Sequence, residues 1–233
     1  MRWLGLFLLC LWPVVSAAQD RIEVDVELAL MVDVSRSMSA EDLEIQRRGY
    51  AEAIASDEVV KVILNSFTGR IAVTYVEWAG YGLQREIVPW TLIDSRAAAE
   101  GVAAQLTARF DASMRRTSIS GGIDYARDAI AQNDFDGLRR VIDISGDGPN
   151  NDGRVVTDAR DRAVEAGLII NGLPLMTEDG LSRWGIDDLD DYYENCVIGG
   201  PGAFVIPVVS WDEFPMAVRR KLVLELAGPL EPT

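Results

Sequence analysis

The sequence predicts an α/β protein with a doubly wound, mostly parallel sheet that is flanked by helices and has one antiparallel hairpin at an edge. Three observations lead to this fold class. Short β-rich runs alternate along the chain with longer segments of helical periodicity. The first run, residues 23–33, alternates apolar and polar residues and then becomes continuously apolar, as expected for a strand that enters a sheet covered on both faces. A Gly80-Tyr81-Gly82 turn directly joins two β-rich runs, which is typical of a hairpin.

The remaining elements follow in order from the same patterns. Ser39, followed by Glu41 and Asp42, predicts the start of a helix. The spacing of the apolar residues predicts that this helix continues to about residue 55. Further helices are expected at 57–64, 95–110, 118–131, 157–166, 187–195 and 211–226, and further strands at 71–78, 86–93, 140–145, 168–175 and 203–209. Neither an internal repeat nor a long linker interrupts them, so the sequence predicts one domain.

The first 18 residues have the three parts of a secretory signal. Arg2 is followed by an apolar run from Trp3 to Val15, and small residues then lead to a cleavage position after Ala18. The run is short for a membrane-crossing helix of about 20 residues, and no later stretch of the sequence is long enough for one. We therefore expect an exported protein, periplasmic or secreted, whose mature chain is a single domain over residues 19–233 with no membrane span.

The composition excludes several kinds of chemistry. The chain has 233 residues and no histidine, which excludes Ser-His-Asp and Cys-His catalysis and histidine metal ligands. Of its two cysteines, Cys10 lies in the signal segment, so Cys196 alone can form neither an internal disulfide nor a thiolate zinc site. The formal net charge of −15 disfavours nucleic acid as a partner because an acidic surface repels phosphate backbones. Side-chain oxygens are therefore the remaining candidates for metal binding and catalysis.

Oxygen-bearing side chains cluster where the predicted strands end. Asp33, Ser35 and Ser37 are spaced two apart after the first strand, Asp147 follows a later strand, and Thr117 opens the helix between them. Ligands of open α/β sheets bind beyond the carboxyl ends of the strands, so these side chains can meet there. Two carboxylates and three hydroxyls suit a hard divalent cation, Mg²⁺, Mn²⁺ or Ca²⁺.

The serines after the first strand also have a purely structural interpretation. Ser35, Ser37 and Ser39 are residue types that cap the following helix, and Asp33 can accept hydrogen bonds from loop amides. Spacing alone does not choose between a cap and a metal site.

At these residues the sequence resembles the von Willebrand factor A-type (integrin I-like) domain. The metal-ion-dependent adhesion site (MIDAS) of that family has Asp-x-Ser-x-Ser after the first strand, then a distant Thr and an Asp. Asp33-Val34-Ser35-Arg36-Ser37 matches the first part, Thr117 in RTSISGGI (116–123) the second, and Asp147 in ISGDG (144–148) the third. The family usually has Ser or Thr directly before the last Asp, whereas here Gly146 stands between Ser145 and Asp147.

A narrower resemblance concerns three other segments. VEWAG (76–80), ISGDGPNN (144–151) and IGGPGAFV (198–205) resemble an uncharacterised group of exported bacterial proteins in the same superfamily, a domain of unknown function. This resemblance says more about the fold than about the function.

The resemblance to the adhesion domains implies a role for each site residue. Ser35, Ser37 and, in one state, Thr117 would bind the cation directly, while Asp33 and Asp147 would act largely through bound water. A Glu or Asp of an unidentified protein ligand would complete the coordination shell. The protein would then be a binding module without turnover, and its closing helix, here 211–226, would shift when the ligand arrives.

Two alternatives remain, a scaffold that keeps the fold but binds no ion, and an enzyme. GDGPNND (146–152) also resembles the acidic metal motif of haloacid-dehalogenase-like phosphatases, in which Asp33 would be the nucleophile of a Mg²⁺-dependent reaction. Two features disagree with that family. Ser35 stands where it has a general acid, and the only lysines, Lys61 and Lys221, have no obvious place as the lysine that steadies the phosphate.

Overall fold

The computed structural model describes residues 21–108, 113–177, 186 and 188–228, so the predicted signal segment lies outside the described residues. The strands are β1 (Ile22–Asp33), β2 (Ile71–Trp78), β3 (Gln84–Ile93), β4 (Phe135–Gly146) and β5 (Ile169–Pro174). The helices are α1 (Ala40–Ile54), α2 (Asp57–Leu64), α3 (Arg96–Thr107), α4 (Ile119–Gln132), α5 (Val156–Glu165), α6 (Leu189–Tyr192) and α7 (Phe214–Ala227). A π-helical turn (Tyr193–Val197) continues α6 directly.

The five strands form one sheet in the order β3-β2-β1-β4-β5. β1 pairs in parallel with both β2 and β4, β4 pairs in parallel with β5, and β2 pairs antiparallel with β3. The predicted fold class, with its edge hairpin, is confirmed. The chain runs outward from β1 to β3 and then returns to the other side of β1 with β4. The strand order therefore reverses between β1 and β4, where ligands bind in sheets of this kind.

β1 is buried from Val24 to Asp33 because helices cover both faces of the sheet. Leu28 and Leu30 belong to a core with side chains of α1, α2, α3 and α7. Ala29 and Met31 belong to the opposite core, with side chains of α4, α5 and the π-helical turn. Alternate residues of a strand point to opposite faces, so the continuously apolar end of β1 supplies both cores.

Ser39 is the N-cap of α1, as the sequence predicts. The Asp42 N–H donates to Ser39 Oγ at 3.1 Å and the Ser39 N–H donates to Asp42 Oδ2 at 2.8 Å, which together form a capping box. The three serines that the sequence offered as helix caps therefore have different roles. Ser39 caps the helix, and Ser35 and Ser37 contact other groups.

The strand predicted at 203–209 is wrong. This segment runs beside β5 and forms only isolated bridges with it, Gly172 with Val205 and Leu175 with Val208. Residues 204, 206 and 208 make the hydrogen bonds to this side of β5, but Pro174 has no N–H to donate, so the regular ladder is interrupted there.

Other boundaries differ from the predictions by a few residues. β4 begins at Phe135, five residues before the predicted Arg140, and α7 begins at Phe214, three residues after the predicted Trp211. The predicted helix 187–195 is observed as α6 followed by the π-helical turn. Residues 109–110 and 187, at the ends of two predicted helices, lie outside the described residues.

Candidate metal centre

The loop after β1 is held in place by its neighbours in the fold. The Val34 N–H donates to Trp78 O at the end of β2 (2.9 Å), and Val34 O accepts from the Met114 N–H (2.8 Å). Gln46 Nε2, on α1, donates to Asp33 O at 3.1 Å. The end of β1 is therefore fixed by β2, by α1 and by the segment that leads to α4.

Asp33, Ser35, Ser37 and Asp147 form one continuous chain of contacts. The Ser35 N–H donates to Asp33 Oδ1 at 2.7 Å, and the hydroxyl oxygens of Ser35 and Ser37 lie 3.0 Å apart. Ser37 Oγ donates to Asp147 Oδ1 at 2.9 Å. Asp147 directly follows β4, the parallel neighbour of β1, and this is how two strand ends bring the residues together.

Both carboxylates are buried: Asp33 is 0% exposed and Asp147 is 5% exposed. Burial and the charge of Asp147 raise the pKa of Asp33 well above its ordinary value, and burial also raises the pKa of Asp147. The Oδ2 atom of each has no hydrogen-bond partner among the described residues. Two buried acids with unsatisfied oxygens are costly unless a positive charge compensates them. A divalent cation fits this requirement, and the donor set of carboxylates and hydroxyls fits a hard one.

Thr117 lies just before α4 and is held by partners other than the four residues above. Its N–H donates to Asn151 Oδ1 at 3.0 Å, and its carbonyl accepts from the N–H groups of Asn151 (2.9 Å) and Asp152 (3.2 Å). Among the described residues, no hydrogen bond joins its hydroxyl to the other four predicted site residues. The structure therefore ties Thr117 to the loop that follows Asp147, through its backbone.

Sequence reasoning missed the two asparagines of that loop. Asn150 Oδ1 accepts from the Ser120 N–H at 2.9 Å and Asn150 Nδ2 donates to Arg154 O at 3.0 Å, while Asn151 holds Thr117. Together they fasten the loop after β4 to the start of α4. The signal was an Asn-Asn pair three residues after Asp147, since asparagine side chains commonly satisfy backbone groups in turns.

The structure gives a reason for Gly146, which departs from the usual motif. A Cβ atom on Gly146 would lie 2.9 Å from Asp33 Oδ2 and 2.9 Å from the hydroxyl oxygen of Tyr193. Such contacts are too short for carbon and oxygen that are not bonded, so any side chain at position 146 would displace Asp33 Oδ2 and the Tyr193 hydroxyl.

Within the described ranges, no group of three or more His, Cys, Asp or Glu side chains is arranged to hold a metal. The centre has two carboxylates, so cation binding there would depend on the hydroxyls of Ser35 and Ser37 as much as on the acids.

One protein family matches nearly the whole described chain. The family described as "Protein of unknown function (DUF1194)" matches residues 23–230. No curated protein matches the sequence.

Several solved structures are similar to this chain at low sequence identity. Proximal thread matrix protein 1 (PTMP1) from the mussel byssus, with a zinc-occupied MIDAS motif, is 15% identical, with a TM-score of 0.60, over 89% of this chain and 49% of that one. The pilus adhesin SpaC from Lactobacillus rhamnosus GG is 11% identical, with a TM-score of 0.63, over 89% of this chain and 31% of that one. A von Willebrand factor type A protein from Catenulispora acidiphila is 14% identical, with a TM-score of 0.56, over 88% and 43%.

These similarities show that the fold is that of a von Willebrand factor A domain, which confirms the resemblance read from the sequence. This chain spans about half the length of PTMP1.

Proposed function

The chain belongs to the DUF1194 family, and we propose that it is an exported binding module that holds a divalent cation between Asp33 and Asp147 and uses it to bind a carboxylate of a protein ligand. The observation that carries this proposal is the hydrogen-bonded chain from Asp33 to Asp147, which leaves one buried oxygen of each carboxylate without a partner. Ser35 and Ser37 would bind the cation directly, Asp33 and Asp147 would act largely through bound water, and Thr117 would join in one state.

The proposed cation is Mg²⁺, with Mn²⁺ or Ca²⁺ as substitutes. The predicted ligands are all oxygens, which hard divalent cations prefer, and the chain has no histidine to favour a softer metal. The zinc in the MIDAS motif of PTMP1 supports a divalent cation in this fold without choosing among metals.

The rim of the centre favours an acidic ligand. Arg36 stands between the two serines, and Arg115 and Arg116 directly precede Thr117; all three side chains are exposed. Arg116 Nη1 lies 3.0 Å from Asp152 Oδ1, yet its side chain remains 70% exposed. Exposed positive charge at this edge of a chain with a formal net charge of −15 steers negatively charged groups toward the cation.

We further propose that the protein is exported and that its mature chain, residues 19–233, is one domain that does not bind nucleic acid. A pilus adhesin and a byssus protein among the structural neighbours support export to the periplasm or the exterior. In the described residues, no helix has the length and apolar character needed to cross a membrane.

The phosphatase alternative gains no support from the structure. Lys61 is exposed on α2, and Lys221 is buried, with its Nζ 2.6 Å from Asp143 Oδ1 and 2.5 Å from Glu225 Oε1. Neither supplies a phosphate-binding lysine at Asp33. We therefore expect that the Mg²⁺-loaded protein does not hydrolyse an aryl phosphate.

A direct test of the ligand chemistry uses Mn²⁺, whose bound water relaxes solvent protons. The protein loaded with Mn²⁺ is titrated with a short oligoglutamate peptide and, as a matched control, with oligoglutamine of the same length. We expect oligoglutamate to lower the relaxation enhancement because its carboxylate displaces a bound water, and oligoglutamine to leave it unchanged. If the two peptides act alike, or neither displaces water from loaded protein, carboxylate recognition is disproved.

A further inference from the structure

The hydroxyl of Tyr193 lies beside the metal centre and is not used by the residues already assigned to it. Tyr193 is 0% exposed, and its hydroxyl oxygen has no hydrogen-bond partner among the described residues. The same is true of Asp33 Oδ2. Both atoms lie 2.9 Å from the position that a Cβ of Gly146 would occupy, so both flank Gly146 on the same side of β4.

Two glycines make room for the Tyr193 ring. A Cβ on Gly172 would lie 2.7 Å from Cδ1 of this ring, and a Cβ on Gly146 would meet its hydroxyl. Gly172 pairs with Ile144 in the β4–β5 ladder, and Gly146 lies two residues beyond Ile144 on the same face of the sheet. The ring therefore lies along two adjacent strands at glycine positions, and its hydroxyl end is at the carboxyl end of β4.

The backbone around Tyr193 is also unusual. Tyr193 begins the π-helical turn that follows α6, and such turns often occur at functional sites. The preceding residue, Tyr192, accepts a hydrogen bond at its hydroxyl from the Asn150 N–H at 3.2 Å. Two consecutive tyrosines thus approach the centre, one at the loop after β4 and the other at Asp33.

The chemistry of the two unsatisfied atoms is complementary. Asp33 Oδ1 already accepts the Ser35 N–H, whereas Oδ2 still has its full capacity to accept. The phenol of tyrosine holds its proton at neutral pH, with an ordinary pKa of about 10, and can donate it in a hydrogen bond.

We propose that Tyr193 is a positioning residue of the metal centre: when the cation is bound, its hydroxyl, which has no partner among the described residues of this structure, donates a hydrogen bond to Asp33 Oδ2 and fixes the orientation of this carboxylate toward the cation. The inference rests on the proposed function. Groups that orient metal-binding side chains in this way typically change metal affinity by about 10- to 100-fold when they are removed.

The test compares Tyr193→Phe with Tyr75→Phe. Tyr75 is an equally suitable buried tyrosine, since its hydroxyl also lacks a partner among the described residues but its neighbours are Glu77 and Arg47. Mg²⁺ affinity is measured by calorimetry on each protein. We expect Tyr193→Phe to weaken Mg²⁺ binding by about 10-fold or more, and Tyr75→Phe to leave it unchanged within about twofold.

A second readout follows the hydroxyl itself. In protein labelled with ¹³C at the tyrosine ζ carbon, saturation with Mg²⁺ should shift the signal of Tyr193 and leave that of Tyr75 in place, because only the first hydroxyl changes its hydrogen bond. A wild type that binds Mg²⁺ with the same affinity as Tyr193→Phe, and with an unmoved Tyr193 signal, overturns the inference alone. A wild type that binds no Mg²⁺ overturns the proposed function, and the inference with it.

Discussion

At the scale of single residues, the candidate metal centre is defined by two buried carboxylates that each have an oxygen without a hydrogen-bond partner in the described part of the chain. Asp33 and Asp147 are buried close enough for the charge of Asp147 to raise the pKa of Asp33, and each has one oxygen without a hydrogen-bond partner among the described residues. Serine hydroxyls alone do not remove this cost because they carry no charge. The proposed cation would remove this cost and would give the centre an affinity for an acidic ligand.

Gly146 gives a prediction at this scale. Gly146→Ala places a methyl group 2.9 Å from both Asp33 Oδ2 and the Tyr193 hydroxyl, so both contacts must be relieved by a shift. We expect Gly146→Ala to weaken Mg²⁺ binding by about 10-fold or more, measured by calorimetry. Adding Tyr193→Phe removes one of the two clashes, and the loss caused by Gly146→Ala should then be smaller. Equal losses in both backgrounds would show that the two residues do not interact.

At the scale of secondary-structure elements, the start of α1 lies two residues from the metal centre but has a separate role. Ser39 caps this helix, whereas Ser37 contacts Asp147. We expect Ser39→Ala to lower the free energy of unfolding by about 1 kcal/mol, through loss of the cap, and to leave Mg²⁺ affinity unchanged. Denaturant unfolding and calorimetry measure the two quantities. A loss of Mg²⁺ affinity in Ser39→Ala as large as that in Ser37→Ala would contradict this separation.

Helix α7 is held to the sheet by a buried ionic cluster. Lys221, on α7, contacts Asp143 of β4 and Glu225 of α7, and Asn171 of β5 donates to Glu225 Oε1 at 2.9 Å. The ammonium group of Lys221 is thus paired with two buried carboxylates. Burial raises the pKa of Glu225 to about 7, and it also raises the pKa of Asp143.

The Glu225 cluster predicts an unusual pH dependence of stability. Between its ordinary pKa of 4.5 and its folded value of about 7, Glu225 holds a proton in the folded state that the unfolded chain releases. Its contribution to stability is therefore fully present below about pH 4.5 and is lost as the pH rises through 7, by at most about 1.4 kcal/mol per pH unit. We expect Glu225→Gln to remove this decline in metal-free protein.

The control for this pH dependence is Glu52→Gln, at an exposed position on α1. Unfolding free energies of wild type and both variants are compared from pH 5 to pH 8. The difference between wild type and Glu225→Gln should change across this range, while the difference between wild type and Glu52→Gln should not. Parallel curves for wild type and Glu225→Gln would contradict the assignment.

At the scale of the whole molecule, the sequence predicts those strands, turns and helix starts that depend on local residue patterns. The alternation in β1, the Gly80–Gly82 turn and the Ser39 cap predict the sheet, its hairpin and the start of α1. End-of-strand positions predict that Asp33 and Asp147 meet, because parallel neighbouring strands end at the same edge.

The features that the sequence did not predict depend on contacts between distant parts of the chain. Segment 203–209 has strand composition, but Pro174 of β5 has no N–H and interrupts the ladder between them. The π-helical turn has i→i+5 hydrogen bonds in place of the i→i+4 bonds of an α-helix, and the ring of Tyr193 fits there only because of glycines on two strands. Gly146 is likewise explained only once Tyr193 is placed beside Asp33.

The measurement that tests the central claim most directly is a calorimetric titration of the purified, metal-free protein with Mg²⁺ and Mn²⁺, run beside Ser35→Ala and the Ser39→Ala control. We predict that wild type and Ser39→Ala bind one cation, that Ser35→Ala does not, and that a cation concentration of about 100 times Kd stabilises the binding proteins by about 2.7 kcal/mol. Absence of binding by the wild type, or equal binding by Ser35→Ala, would contradict the metal centre proposed for Asp33, Ser35, Ser37, Thr117 and Asp147.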